Sequence, residues 1–291
     1  MSLIQLFKHY AKTTKKFALI NAMVAEYMLR GFWLKRLVRD EVKWRKIAIN
    51  MVAKRARQLL KTFEFEVTYN YSRPDLFSGK KNYFMVSNHM SYMDIVLLSA
   101  GQPAVFVTSV EMKNTPVLGE ISAYGGSYFV ERRDRSKIPG EVKELAGLLH
   151  KGFNVFVFPE ATSGHDMNLL PFKRAMFSAA VEAGADVLPV CLRIDEINGE
   201  PFSEKNHDKV CWYGDAEFTG HFIEFLKIRT LKVSVNYLEP ISAKQFPDRY
   251  SLSEQAYRQI SEKYLADRPP EFKAWRLPEK KGAPAFSSLK I

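Results

Sequence analysis

Residues 83–100 read YFMVSNHMSYMDIVLLSA, a short apolar run followed by a polar turn and by a second apolar run with helical spacing. The first run predicts a strand and the second predicts a helix. Ser91 is a suitable N-cap for that helix, and Asp94 follows three residues later. A strand that leads through a polar turn into a helix is the building unit of α/β proteins, whose sites form where strands end and helices begin.

The same alternation of strand and helix patterns continues along the chain. From residue 62 onward Phe63, Phe65, Val67 and Tyr69 alternate with polar residues, which is the period of a strand. Further strands are predicted at residues 83–87, 104–108, 127–131, 153–158, 187–192, 209–213 and 231–238. Helices are predicted at residues 92–100, 138–150, 171–183 and 251–266, the last of them opened by the capping pattern of Ser251 and Glu254. This order predicts an α/β domain with a largely parallel central sheet of about seven strands flanked by helices.

The positive charge of the chain is concentrated in its first fifth. The formal net charge is +11, and residues 1–61 hold fifteen Lys/Arg against three acids, a local excess of +12. Such asymmetry indicates an anionic partner, either lipid headgroups or nucleic acid. The basic residues are interleaved with large apolar side chains such as Phe17, Trp33 and Leu37, which favours helices at an anionic membrane surface.

The N-terminal segment is too charged to be interpreted simply as a membrane span. Its longest uncharged run, residues 17–25, is well short of the roughly 20 apolar residues that cross a bilayer. We therefore expect interfacial helices, with a true span and a soluble packing helix as the alternatives. The predicted organisation is a basic amphipathic membrane-associating segment at 1–61, an α/β domain at 62–268 and a loosely ordered tail at 269–291.

The cysteines give no sign of a disulfide or a metal site. Cys191 and Cys211 both lie in apolar runs predicted to be strands, and they have no CxxC spacing. We therefore expect a reducing compartment. The spacing of potential ligands elsewhere in the sequence also suggests no metal.

The polar turn at residues 87–94 is the strongest candidate for chemistry. His89 and Asp94 are five residues apart, so on one continuous helix their side chains would point roughly 140° apart. They can meet if His89 lies in the turn and Asp94 in the first helical turn. An Asp that accepts a hydrogen bond from one imidazole nitrogen leaves the other nitrogen free to take a proton from an alcohol. The alternative is that Asp94 is only a favourable charge at a helix N-terminus and His89 a satisfied turn residue.

Two further predicted strands end in polar loops. Residues 125–135 read GGSYFVERRDR, so one strand ends at three arginines, whose planar guanidinium groups suit phosphate. Residues 156–164 read FVFPEATSG, an apolar strand that runs into a loop with a carboxylate, two hydroxyls and a glycine. Taken singly, a solvated basic loop and a plain turn would explain these two segments.

Taken together, these segments resemble the glycerolipid (lysophospholipid) acyltransferase family, the PlsC-type 1-acylglycerol-3-phosphate acyltransferases and their relatives. Residues 88–94 match its NHxxxxD block and residues 126–132 its GxxFxxR block. Residues 158–162 resemble its FPEGT block, and residues 188–190 its terminal apolar-Pro-apolar block. The four blocks occur in the family's order, and the resemblance covers residues 62–266.

The resemblance implies a reaction and the residues that carry it. The reaction is acyl transfer from a thioester donor, acyl-CoA or acyl-carrier protein, to the free hydroxyl of a lysophospholipid, with 1-acyl-sn-glycerol 3-phosphate as the expected acceptor. His89 would be the general base and Asp94 its orienting partner. Arg132 would bind the phosphate of the acceptor, and further substrate contacts are expected from Gly126, Phe129, Glu160, Thr162 and Lys173. No cofactor is expected beyond the thioester co-substrate, and the protein is expected at the cytoplasmic face of a membrane, peripheral or monotopic.

The third block departs from the family pattern at two residues. Many members read Glu-Gly-Thr-Arg, whereas this chain has Glu160-Ala161-Thr162-Ser163. Ala161 lacks the access of glycine to positive φ, and Ser163 removes a cation that could contact phosphate, a role that Lys173 and Arg174 could take over. Another lysolipid acceptor, such as lyso-ornithine lipid, is therefore the main alternative.

Two other classes of protein fit the sequence less well. A basic nucleic-acid-binding protein would not need the pair of His89 and Asp94, and its basic stripe would not be interleaved with Phe, Trp and Leu. A serine hydrolase could use Ser163 and His165, but no G-x-S-x-G elbow surrounds Ser163.

Overall fold

The computed structural model describes residues 3–78, 81–164, 167–214 and 216–274, with side chains from residue 13 onward. Two long helices come first, α1 at Leu3–Leu37 and α2 at Glu41–Phe63. Asp40, in the link between them, accepts the backbone N–H of Lys43 (2.7 Å) and so caps α2. At the other end of α2, Glu64 adopts the left-handed conformation of a helix C-cap, with φ 61°.

The remaining elements are strands interspersed with helices. The strands are β1 (Glu66–Tyr71), β2 (Phe84–Ser87), β3 (Val105–Ser109), β4 (Tyr128–Val130), β5 (Val155–Val157), β6 (Asn168–Leu169), β7 (Val187–Ile197), β8 (Glu200–Pro201), β9 (Leu231–Tyr237) and β10 (Lys273–Ala274). The helices are α3 (Met93–Gly101), α4 (Val110–Lys113), α5 (Leu118–Tyr124), α6 (Ile138–His150), α7 (Ser178–Ala183), α8 (Phe218–Leu226) and α9 (Arg249–Leu265).

One eight-stranded sheet forms the centre of the fold. Its order is β1-β9-β7-β2-β5-β3-β4, with β8 paired to β7. β1 is parallel to β9, β2 is parallel to β5 and β7, and β3 is parallel to β4 and β5. Antiparallel pairing joins β7 to β9 and to β8. The prediction of a largely parallel central sheet of about seven strands flanked by helices is confirmed.

β2 lies in the middle of this sheet and is buried along its whole length. Phe84, Met85 and Val86 are all fully shielded from solvent, as expected for a parallel strand with neighbours on both edges and helices on both faces. α3 begins at Met93, six residues after β2 ends. The turn between them is therefore presented at the carboxyl edge of the sheet, where sites of α/β proteins form.

The predicted boundary between residues 61 and 62 is not a structural boundary, because it falls inside α2. α2 packs along α3 and buries seven residues against the core: Trp44, Ala48, Ile49, Ala53, Ala56, Leu60 and Phe63. Arg57 adds a hydrogen bond from its Nε to the backbone oxygen of Ala100 (2.8 Å). α2 is therefore part of the same core as the sheet.

α1 is attached to this core by specific contacts. Ile20 and Tyr27 are 7% and 6% exposed, and the buried ammonium group of Lys16 donates to the backbone oxygens of Phe63 and Ile228, both at 3.3 Å. Within the part of the chain that the structure describes, neither α1 nor any other helix is both long and apolar enough to cross a membrane. The membrane association expected of residues 1–61 remains a prediction.

Three local predictions from the sequence are wrong. Residues 209–213 are not a strand: a 3-10 turn at His207–Lys209 leads into an irregular loop, and the apolar run reflects the burial of Val210 and Cys211. The helix expected from residue 171 starts only at Ser178, after a 3-10 turn at Ala175–Phe177. α9 is capped by Asp248 rather than Ser251, because the Asp248 carboxylate accepts the N–H groups of Tyr250 and Ser251.

The predicted loose tail at 269–291 is described only as far as Ala274, and that part is ordered. Phe272 is 5% exposed and packs against the guanidinium group of Arg268 at 4.6 Å. β10 pairs in parallel with β6. These contacts tie residues 269–274 to the domain, and residues 275–291 lie outside the described part of the chain.

Candidate active site

The turn after β2 brings His89 and Asp94 together. The Nδ1 atom of His89 lies 2.8 Å from Oδ2 of Asp94. The same carboxylate oxygen accepts the backbone N–H groups of Met90 (2.6 Å) and Ser91 (2.9 Å). Asp94 is only 2% exposed, so these three hydrogen bonds compensate for the burial of its charge.

The hydrogen bonds to Asp94 also determine the tautomer of His89. Backbone N–H groups can only donate, so the Asp94 oxygen that receives two of them acts as an acceptor. The Nδ1 of His89 must therefore carry the hydrogen, and in the neutral ring Nε2 has a free lone pair. The ring stacks on Phe158, with centroids 4.0 Å apart, and its side chain remains 21% exposed. Among the described residues, none forms a hydrogen bond with Nε2, so this nitrogen is open to a substrate.

Asn88 fixes the start of the turn to the neighbouring strand. Its side-chain amide donates to the backbone oxygen of Leu192 (3.0 Å) and accepts the backbone N–H of the same residue (2.9 Å). Because Leu192 belongs to β7, the Asn88 side chain pairs with that strand as if β2 continued by one residue. Asn88 therefore positions His89, a role that the sequence did not assign.

Glu160 holds the backbone of His89. One of its carboxylate oxygens accepts the N–H of His89 and the other accepts the N–H of Leu170, both at 3.1 Å. The residue is 4% exposed. Burial raises the pKa of Glu160 to about 8, the hydrogen bonds from Leu170 and His89 oppose this rise, and the charge of Asp94 adds to it. This geometry argues for a positioning role and against the predicted direct contact with the acceptor.

The loop after β5 also contacts His89 and Arg132. The N–H of Gly164 donates to the backbone oxygen of His89 (3.0 Å), so the loop holds His89 through both of its backbone polar groups. Arg132 donates from Nη1 to the backbone oxygen of Ala161 (2.8 Å). Ala161 has φ 63°, the left-handed conformation for which many family members have glycine. The structure thus places the Arg132 guanidinium on the loop that supports His89.

The other predicted substrate contacts divide into two groups. Thr162 is exposed on the same loop, and Lys173 is exposed with its backbone N–H bonded to the oxygen of Pro159 (2.7 Å). Gly126 is buried against α2, with φ 80°, and an added Cβ would lie 3.2 Å from the Cγ of Arg45. Phe129 is half-buried below the ammonium group of Lys113 (5.7 Å). Thr162 therefore lies on the loop whose backbone holds His89, and Lys173 is bonded to the start of that loop, whereas Gly126 is a packing position.

An aromatic cluster beside the turn was not predicted from the sequence. The Tyr92 hydroxyl is hydrogen-bonded to Nδ1 of His221 (3.0 Å), and four more rings surround Tyr92 with centroids 5.1–6.2 Å away: Trp212, Phe218, Phe222 and Phe225. The backbone N–H of Trp212 donates to the oxygen of Met90 (3.0 Å). The helical spacing of the three phenylalanines was the signal that could have revealed α8 and its apolar face.

The described residues contain no group of three or more His, Cys, Asp or Glu side chains placed to hold a metal ion. The arrangement around His89 provides an imidazole nitrogen with a free lone pair, the Arg132 guanidinium on the loop that supports His89, and the ring of Phe158 stacked on the imidazole.

Comparisons with known proteins relate this chain to acyltransferases. The family model described as Acyltransferase matches residues 64–193. A 1-acyl-sn-glycerol-3-phosphate acyltransferase from Neisseria gonorrhoeae is 31% identical over 176 residues, which cover 60% of this chain and 67% of the relative. A lyso-ornithine lipid O-acyltransferase from Brucella abortus is 33% identical over 176 residues, covering 58% and 66%. The crystal structure of the 1-acyl-sn-glycerophosphate (LPA) acyltransferase PlsC from Thermotoga maritima shares the fold, with a TM-score of 0.64 and 21% identity over 90% of this chain and 98% of that one.

Proposed function

The chain belongs to the acyltransferase family that includes the 1-acyl-sn-glycerol-3-phosphate acyltransferases, and on this premise we propose that it acylates the free hydroxyl of 1-acyl-sn-glycerol 3-phosphate. The acyl group comes from a thioester, acyl-CoA or acyl-carrier protein, and the product is phosphatidic acid. The observation that carries the proposal is the pair of His89 and Asp94, which leaves the Nε2 of His89 with a free lone pair at the carboxyl end of β2.

In the proposed reaction His89 acts as the general base. Its Nε2 takes the proton of the acceptor hydroxyl while the hydroxyl oxygen attacks the thioester carbonyl. The tetrahedral intermediate then breaks its carbon–sulfur bond, and the imidazolium returns the proton to the leaving thiolate. An ester and a free thiol result, so the reaction consumes no water and needs no oxidant, reductant or metal. Asp94 stabilises the imidazolium in this scheme.

Arg132 is the proposed contact for the acceptor phosphate. Its Nη1 donates to the backbone oxygen of Ala161, and the planar guanidinium has further N–H donors for a phosphate oxygen. Lys173 is exposed beside Pro159 and supplies a second cation on the same loop system. Lys173 offers the charge that the family's arginine at the position of Ser163 would have supplied.

A lyso-ornithine lipid is the second candidate acceptor, and two observations favour it. Ser163 replaces the arginine that many family members have after Glu-Gly-Thr. In addition, the relative from Brucella abortus, named for that acceptor, is about as similar to this chain as the relative from Neisseria gonorrhoeae. An acceptor without a phosphate monoester would need less positive charge at this loop.

The proposed location of the enzyme is the cytoplasmic face of a membrane, where a lysolipid and a soluble thioester meet. Support comes from the basic excess of residues 1–61 and from the exposed apolar side chains of α1, among them Phe17, Leu29, Trp33 and Leu37. An anionic membrane surface is the proposed partner of this segment, and nucleic acid is not.

A panel assay tests the proposed acceptor. Purified protein is incubated with acyl-CoA or acyl-carrier protein thioester and with 1-acyl-sn-glycerol 3-phosphate, lyso-ornithine lipid or lysophosphatidylcholine, and the products are identified by mass. The proposal expects phosphatidic acid to form fastest. Preferential acylation of lyso-ornithine lipid would select the second candidate, and transfer to none of the three acceptors would reject both.

A further inference from the structure

An open groove between α1 and α2 has the size and the lining of a ligand site. Its volume is about 730 Å³, within the range of roughly 300–1,000 Å³ that is usual for such sites. The apolar part of its lining consists of Leu29, Trp33, Leu34, Ile47 and Met51. Leu29, Trp33 and Ile47 are 63%, 55% and 41% exposed. Three large apolar side chains that face solvent in one concavity mark a binding surface. We call this surface the α1–α2 groove.

The rim of the α1–α2 groove is cationic. Arg30, Lys46, Lys54 and Arg55 line it, together with Asn50. The carboxylate of Glu26 forms ion pairs with both Arg30 and Arg55. In the described part of the chain, Lys46 and Lys54 are exposed and have no ion-pair partner. One carboxylate against four cations leaves an uncompensated positive charge around an apolar floor.

A ligand that complements this surface has an apolar chain and an anionic head. Lys46 and Lys54 are eight residues apart on α2, about 12 Å along the helix axis, so their long side chains can converge on an anion between them. Trp33 and Ile47 then lie beside the chain of the same ligand. An anionic phospholipid of the bilayer has both parts, and its phosphate matches the ammonium groups.

We propose that the α1–α2 groove binds one anionic phospholipid, with its phosphate between Lys46 and Lys54 and an acyl chain along Trp33 and Ile47. The groove is separate from the acyl-transfer site, because none of its lining residues comes from residues 88–94, 126–132 or 158–163. The proposal therefore does not rest on the transferase reaction, but it does rest on the proposed membrane location of residues 1–61. Its consequence is a membrane contact that selects lipids by headgroup instead of one that only inserts apolar side chains.

Charge argues against a second copy of the chain as the occupant. Residues 1–61 carry a net charge of +12 from fifteen basic and three acidic residues. Two such faces would repel each other, most strongly at low ionic strength. An anionic lipid instead neutralises the rim.

The test uses Trp33 as a reporter in the full-length protein. The protein is reconstituted in nanodiscs of a zwitterionic lipid that contain increasing mole fractions of either a brominated anionic phospholipid or a brominated zwitterionic one. Bromine on the acyl chain quenches a tryptophan that it contacts. The quenching that is absent from Trp33→Phe is assigned to Trp33, because the other tryptophans are common to both proteins.

The proposal expects the brominated anionic lipid to quench Trp33 at a lower mole fraction than the zwitterionic one. Lys46→Gln with Lys54→Gln should raise the half-quenching mole fraction about tenfold per lysine, roughly 100-fold in all, because each lysine loses a charge-assisted hydrogen bond to the phosphate. The matched control is Lys43→Gln with Lys61→Gln, which removes the same charge from exposed positions of α2 outside the groove lining. That control should change the half-quenching mole fraction less than twofold.

Three outcomes would overturn the proposal. Equal quenching by the two brominated lipids would show that the groove only touches the bulk bilayer. Equal effects of the two lysine pairs would show general electrostatic attraction instead of a site. An absence of Trp33 quenching by either lipid would show that protein covers the groove, for example a second copy. Thermal unfolding of each variant confirms that it is folded.

Discussion

Replacement of Asp94 by Asn separates the charge of this residue from its control of the His89 tautomer. The Oδ2 atom of Asp94 accepts three hydrogens, from His89 Nδ1 and from the N–H groups of Met90 and Ser91. Asn has one oxygen and one NH₂ group. If its NH₂ group faced the turn, two buried N–H groups would lose their acceptor, at a cost of roughly 1–3 kcal/mol each. The oxygen of Asn should therefore face the turn and keep His89 in the Nδ1–H tautomer.

The activity of Asp94→Asn should then fall only because the negative charge is lost. A hydrogen bond to a charged group contributes about 1.5–3 kcal/mol and a neutral one about 0.5–1.5 kcal/mol. The difference of about 1–1.5 kcal/mol corresponds to roughly a tenfold lower kcat/KM. The sequence alone leads to a harsher expectation, because an Asn that stabilises the wrong imidazole tautomer in a serine-protease triad costs about 10⁴.

Three measurements check this reasoning. The kcat/KM for a dispersed lysolipid is compared among the parent, Asp94→Asn and Asp94→Ala. ¹⁵N NMR of the histidine ring reports the tautomer, and urea unfolding reports stability. Asp94→Ala should lose about 10²–10⁴ in rate and roughly 2–6 kcal/mol of stability, because two N–H groups are left without an acceptor. An Asp94→Asn variant as inactive as Asp94→Ala, or one with the Nε2–H tautomer, would refute the argument.

The other predictions concern the loop that supports His89. Burial raises the pKa of Glu160 from 4.5 to about 8, so the stability that its protonation contributes is fully present below pH 4.5 and is lost as the pH rises through 8. In the parent protein the free energy of unfolding should fall by about 1.4 kcal/mol per pH unit across that window, and Glu160→Gln should abolish this fall. Urea unfolding at a series of pH values measures it, and an equally steep fall with pH in Glu160→Gln would contradict the prediction. Arg132→Ala should raise the KM for the lysolipid roughly 10- to 150-fold, the equivalent of a charge-assisted bond, while a KM change confined to the thioester would move Arg132 to the donor site. Ala161→Gly should raise the free energy of unfolding by up to about 1 kcal/mol, because φ 63° is strained for alanine. The same change at the exposed helical Ala25 should lower it by roughly 0.5–1 kcal/mol, and equal effects at both sites would disprove the strain.

The parts of the fold that the sequence predicted are those in which a local pattern and the tertiary structure agree. The continuous apolar run of β2 and the amphipathic pattern of α6 are local signals, and both elements lie where they were expected. Residues 209–213 show the opposite case. Val210 and Cys211 are buried, but the backbone N–H of Trp212 is bonded to Met90 in the turn after β2, a contact that no local pattern encodes. A short apolar run indicates burial, and it does not say whether a strand or a loop is buried.

The sequence also predicted only the part of the site that depends on local structure. His89 and Asp94 are close in sequence, so their contact could be derived from turn geometry. The role of Glu160 could not be derived, because its partners His89 and Leu170 depend on how β5 and β2 are placed side by side. The motif predicted that Gly126 contacts the substrate. The structure instead requires a glycine there because α2, about 80 residues earlier in the chain, approaches it closely. For both Glu160 and Gly126, the predicted and observed roles differ because of contacts between segments that are far apart in the sequence.

The central claim is that His89 is the base that activates the lysolipid hydroxyl, and one comparison tests it most directly. Purified parent protein and His89→Ala are given the same acyl-CoA and 1-acyl-sn-glycerol 3-phosphate, and the phosphatidic acid formed is quantified by mass. Loss of a general base predicts a rate about 10²–10⁴ lower, with thermal unfolding unchanged because the side chain of His89 is partly exposed and its backbone bonds to Glu160 and Gly164 remain. A folded His89→Ala protein that forms phosphatidic acid at nearly the parental rate would contradict the claim.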